Sequence, residues 1–251
     1  MDSSVSATSN APNTATNTAT HTGDLPSRFL SLLSKEEFAQ IAPLLTLIEC
    51  DAKHILGERG GLIDFVYFPC GAVLSVLALM HDGHAVEVGT IGDEGVHGID
   101  ALIGCTHWME LSLCQVAGPV LRMSVADFQR AVQPGAPLNR IAFHYLRVYL
   151  ASVSQSVACN RLHSIEERFA RWVLMTQDRV HRDDFDLTQE FLADMLGVHR
   201  PQVSLVAGAF QQAGFLKYHR GHMTILAREK LEDSACECYA LGRAQVDAML
   251  R

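Results

Sequence analysis

The segment from residue 189 to residue 208, QEFLADMLGVHRPQVSLVAG, constrains the fold more than any other part of this sequence. Ala193 is small where two helices would cross closely, and Gly197 can adopt the left-handed backbone angles of a tight turn. Pro201 falls in the first turn of a second helix, where its missing N–H costs little. The apolar positions that would face inward are Leu192, Ala193, Leu196, Val198, Val203 and Val206. The pattern predicts a helix-turn-helix.

The opposite side of the second helix would be exposed. It carries His199, Arg200, Gln202, Ser204, Leu205 and Gly208. A helix of this kind enters the DNA major groove by its N-terminal end, so we expect Arg200 and Gln202 to read base edges. An ordinary helix pair in a protein core would share so short a pattern, and the choice between them depends on the residues that follow.

The next residues favour DNA binding. After Gly214 the sequence FLKYHRGHMTIL has two short apolar segments around Arg220 and Gly221, which predicts a β-hairpin and hence a winged helix. Residues 197–228 contain four Arg or Lys and three His but no acidic residue, in a chain of formal charge -8. This local positive charge suits phosphate binding, so double-stranded DNA is the predicted partner. The predicted DNA-binding residues are Thr188, His199, Arg200, Gln202, Ser204, Lys217 and Arg220.

Length and composition are typical of a globular protein. The 251 residues, 48% of them apolar, can form one large domain or two modest ones. No apolar run reaches the roughly 20 residues needed to cross a bilayer, and the N-terminus lacks the features of a secretory signal. We therefore expect a cytoplasmic protein without a membrane partner. The seven cysteines are scattered and odd in number, which does not suggest a disulfide framework.

The sequence pattern changes several times along the chain. Residues 1–24 are rich in Ser, Thr, Asn and Ala, which predicts a disordered tail. Residues 25–135 open with a capping box at Ser34 and Glu37 and continue as short extended segments separated by glycines. This predicts an antiparallel β-roll of jelly-roll type, with a hairpin turn at Asp82-Gly83 and a short helix within residues 92–104.

The remainder is predicted to be mostly helical, giving an α+β fold. Residues 136–163 would form a long helix and hinge, residues 164–230 the winged helix-turn-helix domain, and residues 231–251 a C-terminal helix. The long helix carries an apolar stripe too wide for one small roll to cover, so we expect a homodimer; a helix packed wholly on its own roll is the alternative. The predicted dimer-interface residues are Leu138, Ile141, Tyr145, Val148 and Ser152.

A roll, a long helix and a winged helix in this order resemble the Crp/Fnr superfamily of bacterial transcription regulators. The resemblance is most specific in LTQEFLADMLGVHRPQVSLVAGAFQQAGFLKYHRGHMTI. It implies a homodimeric regulator on palindromic operators, with RNA polymerase as a further partner. Arg200 falls on the family's base-reading arginine, whereas Pro201 stands where a glutamate is frequent and Leu205 where a second arginine is common. We therefore expect an operator that differs from the family's usual half-site.

The resemblance does not imply a cyclic nucleotide effector. Members that bind one hold the ribose with a glutamate after a glycine, but here Ile99 follows the corresponding Gly98. No Lys or Arg occurs between Arg59 and Arg122 to pair with the phosphate. Burying that permanent anion without a cationic partner costs several kcal/mol, so we expect no cyclic AMP binding by the family's route.

Effector and cofactor are otherwise left open by the sequence, and we expect neither a cofactor nor a resident metal. An iron-sulfur cluster needs closely spaced cysteines near the N-terminus, where Cys50 has no near neighbour. Metal, haem or redox sensing remains an alternative, through Cys236 and Cys238 or through residues of the roll. The roll residues available for this are Cys70, His81, His84, His97, Cys105 and His107.

The sequence also argues against an enzyme. It has no GxGxxG, GxxxxGK[ST], GxSxG or HExxH motif, and the acidic residues of the predicted roll have no matching base and cation. We therefore predict no catalytic residues. A sensor of cupin type, which would bind a metal or a small anion, is a second option without catalysis.

Overall fold

The computed structural model describes residues 27–81 and 85–251. The predicted tail, the turn at Asp82-Gly83 and His84 lie outside these residues. The described chain begins with a 3-10 helix Leu30–Leu32, helix α1 at Lys35–Ile41 and a second 3-10 helix Ala42–Leu44. The capping box is confirmed: Ser34 Oγ accepts from the backbone N–H of Glu37 at 3.1 Å, and Glu37 Oε2 accepts from that of Ser34 at 2.8 Å.

The roll consists of two antiparallel sheets, with strand orders β1-β7-β3 and β2-β6-β4-β5. Its strands are β1 Thr46–Cys50, β2 Ile55–Gly57, β3 Phe65–Pro69, β4 Val73–Leu79, β5 Ala85–Ile91, β6 Leu111–Val116 and β7 Gly118–Ser124. The predicted hairpin arms are confirmed, since β4 pairs with β5 from Leu74↔Ile91 to Leu79↔Ala85. A 3-10 helix Ile99–Ile103 lies between the left-handed glycines Gly98 and Gly104, as predicted for this segment.

Three helices follow the roll: α2 Val125–Ala131, α3 Pro137–Leu162 and α4 Ile165–Val180. The long helix ends at Leu162 because His163 takes extended backbone angles, φ -105° and ψ 152°. Ser164 then caps α4 through a capping box with Glu167, as its spacing predicts. The predicted hinge therefore coincides with an observed break between α3 and α4.

Three of the five residues predicted for the dimer face of α3 are instead buried within their own chain. Leu138, Ile141 and Tyr145 are at most 3% exposed and pack in the core of their own roll. Val148 and Ser152 line a cavity shared with the last helix of the same chain. A heptad-spaced apolar stripe needs an apolar neighbour, and here the chain itself supplies that neighbour.

A different apolar stripe of α3 is exposed. Phe143, Leu150 and Val157 are 49%, 57% and 66% exposed and are spaced by seven residues. Since each helical residue turns about 100°, this stripe lies on the side of α3 opposite Tyr145.

The remaining elements form the C-terminal part of the chain. They are β8 Asp184–Asp186, α5 Gln189–Leu196, α6 Arg200–Gln212, β9 Leu216–His219, β10 His222–Ile225, α7 Arg228–Ser234 and α8 Cys238–Met249, with the strands in the order β8-β10-β9. The predicted single helix over residues 231–251 is thus two helices, and the first begins at Arg228. A short connection at residues 235–237 separates them, and it contains Cys236.

The C-terminal part packs against the roll, which fixes the orientation of α5 and α6. Phe169, Leu174 and Leu192 share one apolar core with roll residues such as Leu77. At this junction Trp172 Nε1 donates to Glu87 Oε1 at 3.1 Å. Burial raises the pKa of Glu87, which makes this carboxyl easier to keep protonated. Among the helices of residues 27–81 and 85–251, none has the length and apolar composition needed to span a membrane.

Candidate nucleic-acid interface

Helix α6 has one buried and one exposed side. Val203, Val206 and Phe210 are at most 7% exposed and hold α6 against the core. Gly197 has the left-handed φ of 60° that the turn between α5 and α6 requires, and its N–H is bonded to the end of α5. The helix-turn-helix geometry predicted from residues 189–208 is therefore confirmed.

The predicted DNA-binding residues lie on this exposed side and on the neighbouring hairpin. His199, Arg200, Gln202, Ser204, Lys217 and Arg220 are all exposed. Thr188 is half-buried, and its Oγ1 caps α5 by accepting from the backbone N–H of Phe191 at 3.2 Å. Six of the seven side chains can thus be reached by a large ligand without moving the core.

Arg200 is held in place by the start of α5. Its Nη1 forms an exposed ion pair with Glu190 Oε1 at 2.7 Å, and its Nε donates to Gln189 Oε1 at 3.4 Å. Ser204 Oγ donates to the same Gln189 oxygen at 2.9 Å. The sequence analysis did not identify Gln189 and Glu190 as neighbours of Arg200, because both precede residues 197–228, the segment without acidic residues.

Residues 197–228 contain no acidic residue, but carboxylates from other parts of the chain lie close to them. Besides the Arg200 pair, His222 Nδ1 lies 2.8 Å from Asp186 Oδ1 and Arg228 Nη2 lies 2.7 Å from Asp178 Oδ1. Arg228 therefore belongs to an internal ion pair, whereas Lys217 and Arg220 are exposed on the hairpin. The positive charge available to phosphates is smaller than the sequence count suggests.

Gln202 and Leu205 add to the character of the exposed face. Gln202 Oε1 accepts from the backbone N–H of His199 at 3.1 Å, which leaves its amide NH2 group to donate elsewhere. Leu205 is 74% exposed, a large apolar side chain in contact with solvent. A thymine methyl group is the apolar feature of the major groove that such a side chain can contact.

The hairpin is fixed relative to the helices. Its turn residues Arg220 and Gly221 have φ of 50° and 83°, which are the left-handed values of a two-residue hairpin turn. Tyr218 donates its hydroxyl to the carbonyl of Leu187 at 2.7 Å. Burial raises the pKa of Tyr218 to about 12, so the hydroxyl stays a donor at neutral pH. The wing therefore stands beside α6 as a preformed element.

One cavity of the roll is too small for a nucleotide. A cavity of about 50 Å³ is lined by residues including His97, Asp100, Glu110 and Tyr149, and no Lys or Arg is among its described lining residues. Drug-sized ligands occupy pockets of about 300–1,000 Å³. His97 fills part of the space by stacking on Trp108, with ring centroids 4.5 Å apart.

The described roll residues considered for metal or haem do not meet at one point. His97 Nε2 lies 2.8 Å from Ser112 Oγ, and its burial lowers the pKa of His97 to about 3, as expected for a neutral core histidine. His81 and His107 are exposed, and Cys70 is buried with its Sγ 3.5 Å from the carbonyl of Phe68. Within the described residues, none of these belongs to a group of ligating atoms close enough for one metal ion.

A group that the sequence reasoning did not assemble lies at the other end of α3. Cys159, His163, Cys236 and Cys238 place their ligating atoms within 4.8 Å of one another. From the sequence we expected no resident metal, with metal, haem or redox sensing through Cys236 and Cys238 as an alternative. Cys159 and His163 were missed because they are more than 70 positions away in the sequence.

Comparisons with known proteins agree with this architecture. Residues 167–234 match a family model described as the Crp-like helix-turn-helix domain. FixK2 from Bradyrhizobium japonicum has a similar fold, with TM-score 0.65, 14% identity and coverage of 76% of this chain and 98% of FixK2. TTHB099, a CRP-family transcriptional regulator from Thermus thermophilus, has TM-score 0.64, 20% identity and coverage of 75% of this chain and 96% of TTHB099.

A third similar structure is CLP from Xanthomonas campestris, described as a c-di-GMP responsive global regulator. Its TM-score is 0.60 at 13% identity, with coverage of 76% of this chain and 99% of CLP. No curated protein sequence matches this chain. At such low identities the structures establish the fold, while the family model establishes the type of DNA-binding domain. The chain thus contains a Crp-like helix-turn-helix domain, within a fold similar to that of these regulators.

Proposed function

We propose that the chain binds DNA sequence-specifically as a homodimer on palindromic operators and that cyclic AMP is not its effector. The observation that carries this proposal is the N-terminal end of α6, where Arg200, Gln202 and Ser204 are exposed on a helix whose opposite side is buried. Helix-turn-helix proteins insert this end into the major groove.

Within this interface Arg200 and Gln202 read bases. Ser204, Lys217, Arg220 and the cap at Thr188 contact phosphates, and His199 lies beside them at the start of α6. Leu205 stands where a second arginine is common in the family. At that position it makes an apolar contact with the DNA instead of an arginine contact. Arg200 must break its ion pair with Glu190 before it can bind the edge of a guanine. The ion pair therefore competes with DNA and weakens binding to every site that Arg200 reads.

Two copies of the chain pair through the exposed stripe Phe143, Leu150 and Val157, which replaces the interface predicted from sequence. Heptad spacing is the spacing at which two helices keep one face in contact. A two-fold dimer presents two α6 helices about one DNA turn apart, which matches a palindromic operator. RNA polymerase is the proposed further partner of the DNA-bound dimer.

Cyclic AMP does not fit this roll. The cavity of about 50 Å³ has two carboxyl groups, Asp100 and Glu110, among its described lining residues and no cation. Burial raises the pKa of both groups. We expect no heat of binding in isothermal titration with cyclic AMP at up to about 1 mM, and micromolar binding would contradict this.

Selection of bound duplexes from a random pool tests DNA binding and palindromy together. We expect an inverted repeat with half-site centres about 10 base pairs apart.

Arg200→Ala should cost about 1–3 kcal/mol of binding free energy on the selected site and relax one base position, whereas Lys217→Ala should weaken binding to all duplexes alike and reduce the salt slope by about 1. Glu190→Gln should tighten binding. Equal losses on selected and random DNA for Arg200→Ala, or no selected sequence at all, would contradict the proposal.

A metal-responsive regulator is the second candidate function. The observation in its favour is the group of three cysteines and one histidine at the end of α3, next to the break before the DNA-binding domain.

A further inference from the structure

Four side chains with metal-binding chemistry meet where three elements join. Cys159 lies in the last turn of α3, and His163 is the extended residue that follows this helix. Cys236 lies in the connection between α7 and α8, and Cys238 is the first residue of α8. The three cysteines are at most 4% exposed, while the His163 side chain is 14% exposed. The group is therefore shielded from solvent but reachable at one edge.

Two distances within the group match those of tetrahedral zinc, and all four ligating atoms lie within 4.8 Å of one another. Zn–S bonds of about 2.3 Å and a Zn–N bond of about 2.0–2.1 Å place two sulfurs about 3.8 Å apart, and a sulfur and a nitrogen about 3.6 Å apart. The Sγ atoms of Cys159 and Cys236 are 3.6 Å apart, and Cys238 Sγ lies 3.6 Å from His163 Nδ1. We propose that Cys159, Cys236 and Cys238 through Sγ and His163 through Nδ1 bind one Zn²⁺ ion.

Neighbouring side chains orient these ligands. Glu237 Oε2 lies 3.1 Å from His163 Nε2, the nitrogen that does not face the sulfurs. Metal-bound histidines usually donate their second N–H to a carboxylate in this way, which fixes the tautomer. Gln155 Nε2 donates to Cys238 Sγ at 3.0 Å, a contact that stabilises a thiolate. Both contacts are those expected around a metal-bound histidine and thiolate.

Alternative roles for the cysteines explain less of this arrangement. A disulfide requires sulfurs about 2.05 Å apart, would use only two of the three thiols and would leave His163 without a purpose. Apolar packing is also a poor account, because the three cysteines form a cluster of their own, separate from the larger cores among the described residues. Zinc uses all four side chains at once.

Zinc binding needs no oxidant or reductant. The ion replaces the S–H protons of the three thiols, which are released to solvent, and neutral His163 adds a lone pair. The resulting site has one negative charge, and Arg171 lies close enough to act electrostatically on Cys159. Cys159 and His163 lie at the end of α3, whereas Cys236 and Cys238 lie at the α7–α8 connection. The metal therefore ties this connection to the end of the long helix. We infer that zinc holds the DNA-binding domain at a set angle to α3.

The test uses the full chain purified with zinc under reducing conditions and dialysed against metal-free buffer. We expect about one zinc per chain by mass spectrometry of metals, and Co²⁺ should give the visible bands and sulfur-to-metal charge transfer of a tetrahedral thiolate site. Cys236→Ser and His163→Gln should lose the metal, whereas Cys105→Ser, a cysteine of the roll, should retain it. Gln155→Ala should keep the stoichiometry but weaken zinc binding about 10–100-fold, since it removes an outer contact only.

The wild-type measurements decide the proposal even if a ligand variant fails to fold. A zinc content near zero after dialysis, together with octahedral Co²⁺ spectra, would overturn it. So would a Cys159–Cys236 disulfide in metal-free protein that zinc and a reductant do not replace with bound metal. Metal content is measured without DNA, so the result is independent of whether the proposed operator binding is correct.

Discussion

Truncation of Leu150 should weaken the dimer without harming the fold. This side chain is 57% exposed in the centre of the stripe formed by Phe143, Leu150 and Val157. It therefore contributes little to the core of a single chain, and most of its remaining apolar surface is available to a second copy. Leu150→Ala removes that surface while keeping a good helix former in α3.

The expected magnitude follows from the exposed fraction. Burial of each carbon group contributes about 0.8 kcal/mol, and the substitution removes three of them. Scaled by the 57% that a partner can cover, the loss is about 1.4 kcal/mol per chain. Two-fold symmetry doubles this to about 2.7 kcal/mol per dimer, which corresponds to a dissociation constant about 100-fold larger.

Sedimentation equilibrium over a range of protein concentrations measures this constant directly. Leu226→Ala is the matched control, since Leu226 is the same residue type, is 51% exposed and lies outside α3. We expect the control to dimerise like the wild type and both variants to keep the wild-type melting temperature within a few degrees. Equal dissociation constants for the two variants, or a wild-type protein that remains monomeric, would refute the assignment of this face.

Three further predictions concern stability. Because burial lowers the pKa of His97 to about 3, its neutral form contributes stability that is full above about pH 6.5 and is lost as the pH falls toward 3. Denaturant titrations should show the wild type losing about 2 kcal/mol more than His97→Gln between pH 7 and pH 5, and parallel curves would contradict this. Gly118→Ala should destabilise by about 1–3 kcal/mol, since its Cβ would lie 2.7 Å from the backbone of Gly71 and Ala72; an unchanged melting temperature would disprove that close contact. Gly242→Ala within α8 meets no heavy atom within 4 Å and should stabilise by about 0.5–1 kcal/mol, so a lower melting temperature would count against that helix.

Local features of the chain were predictable because they depend on residues close in sequence. The capping boxes at Ser34 and Ser164 each need a glutamate three positions later, and both are formed. Gly197 adopts the left-handed turn that only a few residue types accept readily. The helix-turn-helix could be predicted for the same reason, since its turn and both inner faces lie within about 20 residues.

The face of a helix that meets a given neighbour could not be predicted in this way. Spacing correctly gave a long helix, but α3 has apolar stripes on opposite sides, one through Tyr145 and one through Leu150. Which stripe the roll covers depends on where the polypeptide folds back, and that is not encoded in the periodicity of α3. The same limit applies to Arg200, whose partner Glu190 lies on the preceding helix.

The sequence by itself determined the order of the elements, the DNA-binding motif and the absence of a cation in the segment between Arg59 and Arg122. Only the tertiary structure decided that Cys159 and His163 meet Cys236 and Cys238. The physical reason is that short-range backbone preferences act within a few residues, whereas a metal site depends on distances in space between atoms that the chain connects through more than 70 residues.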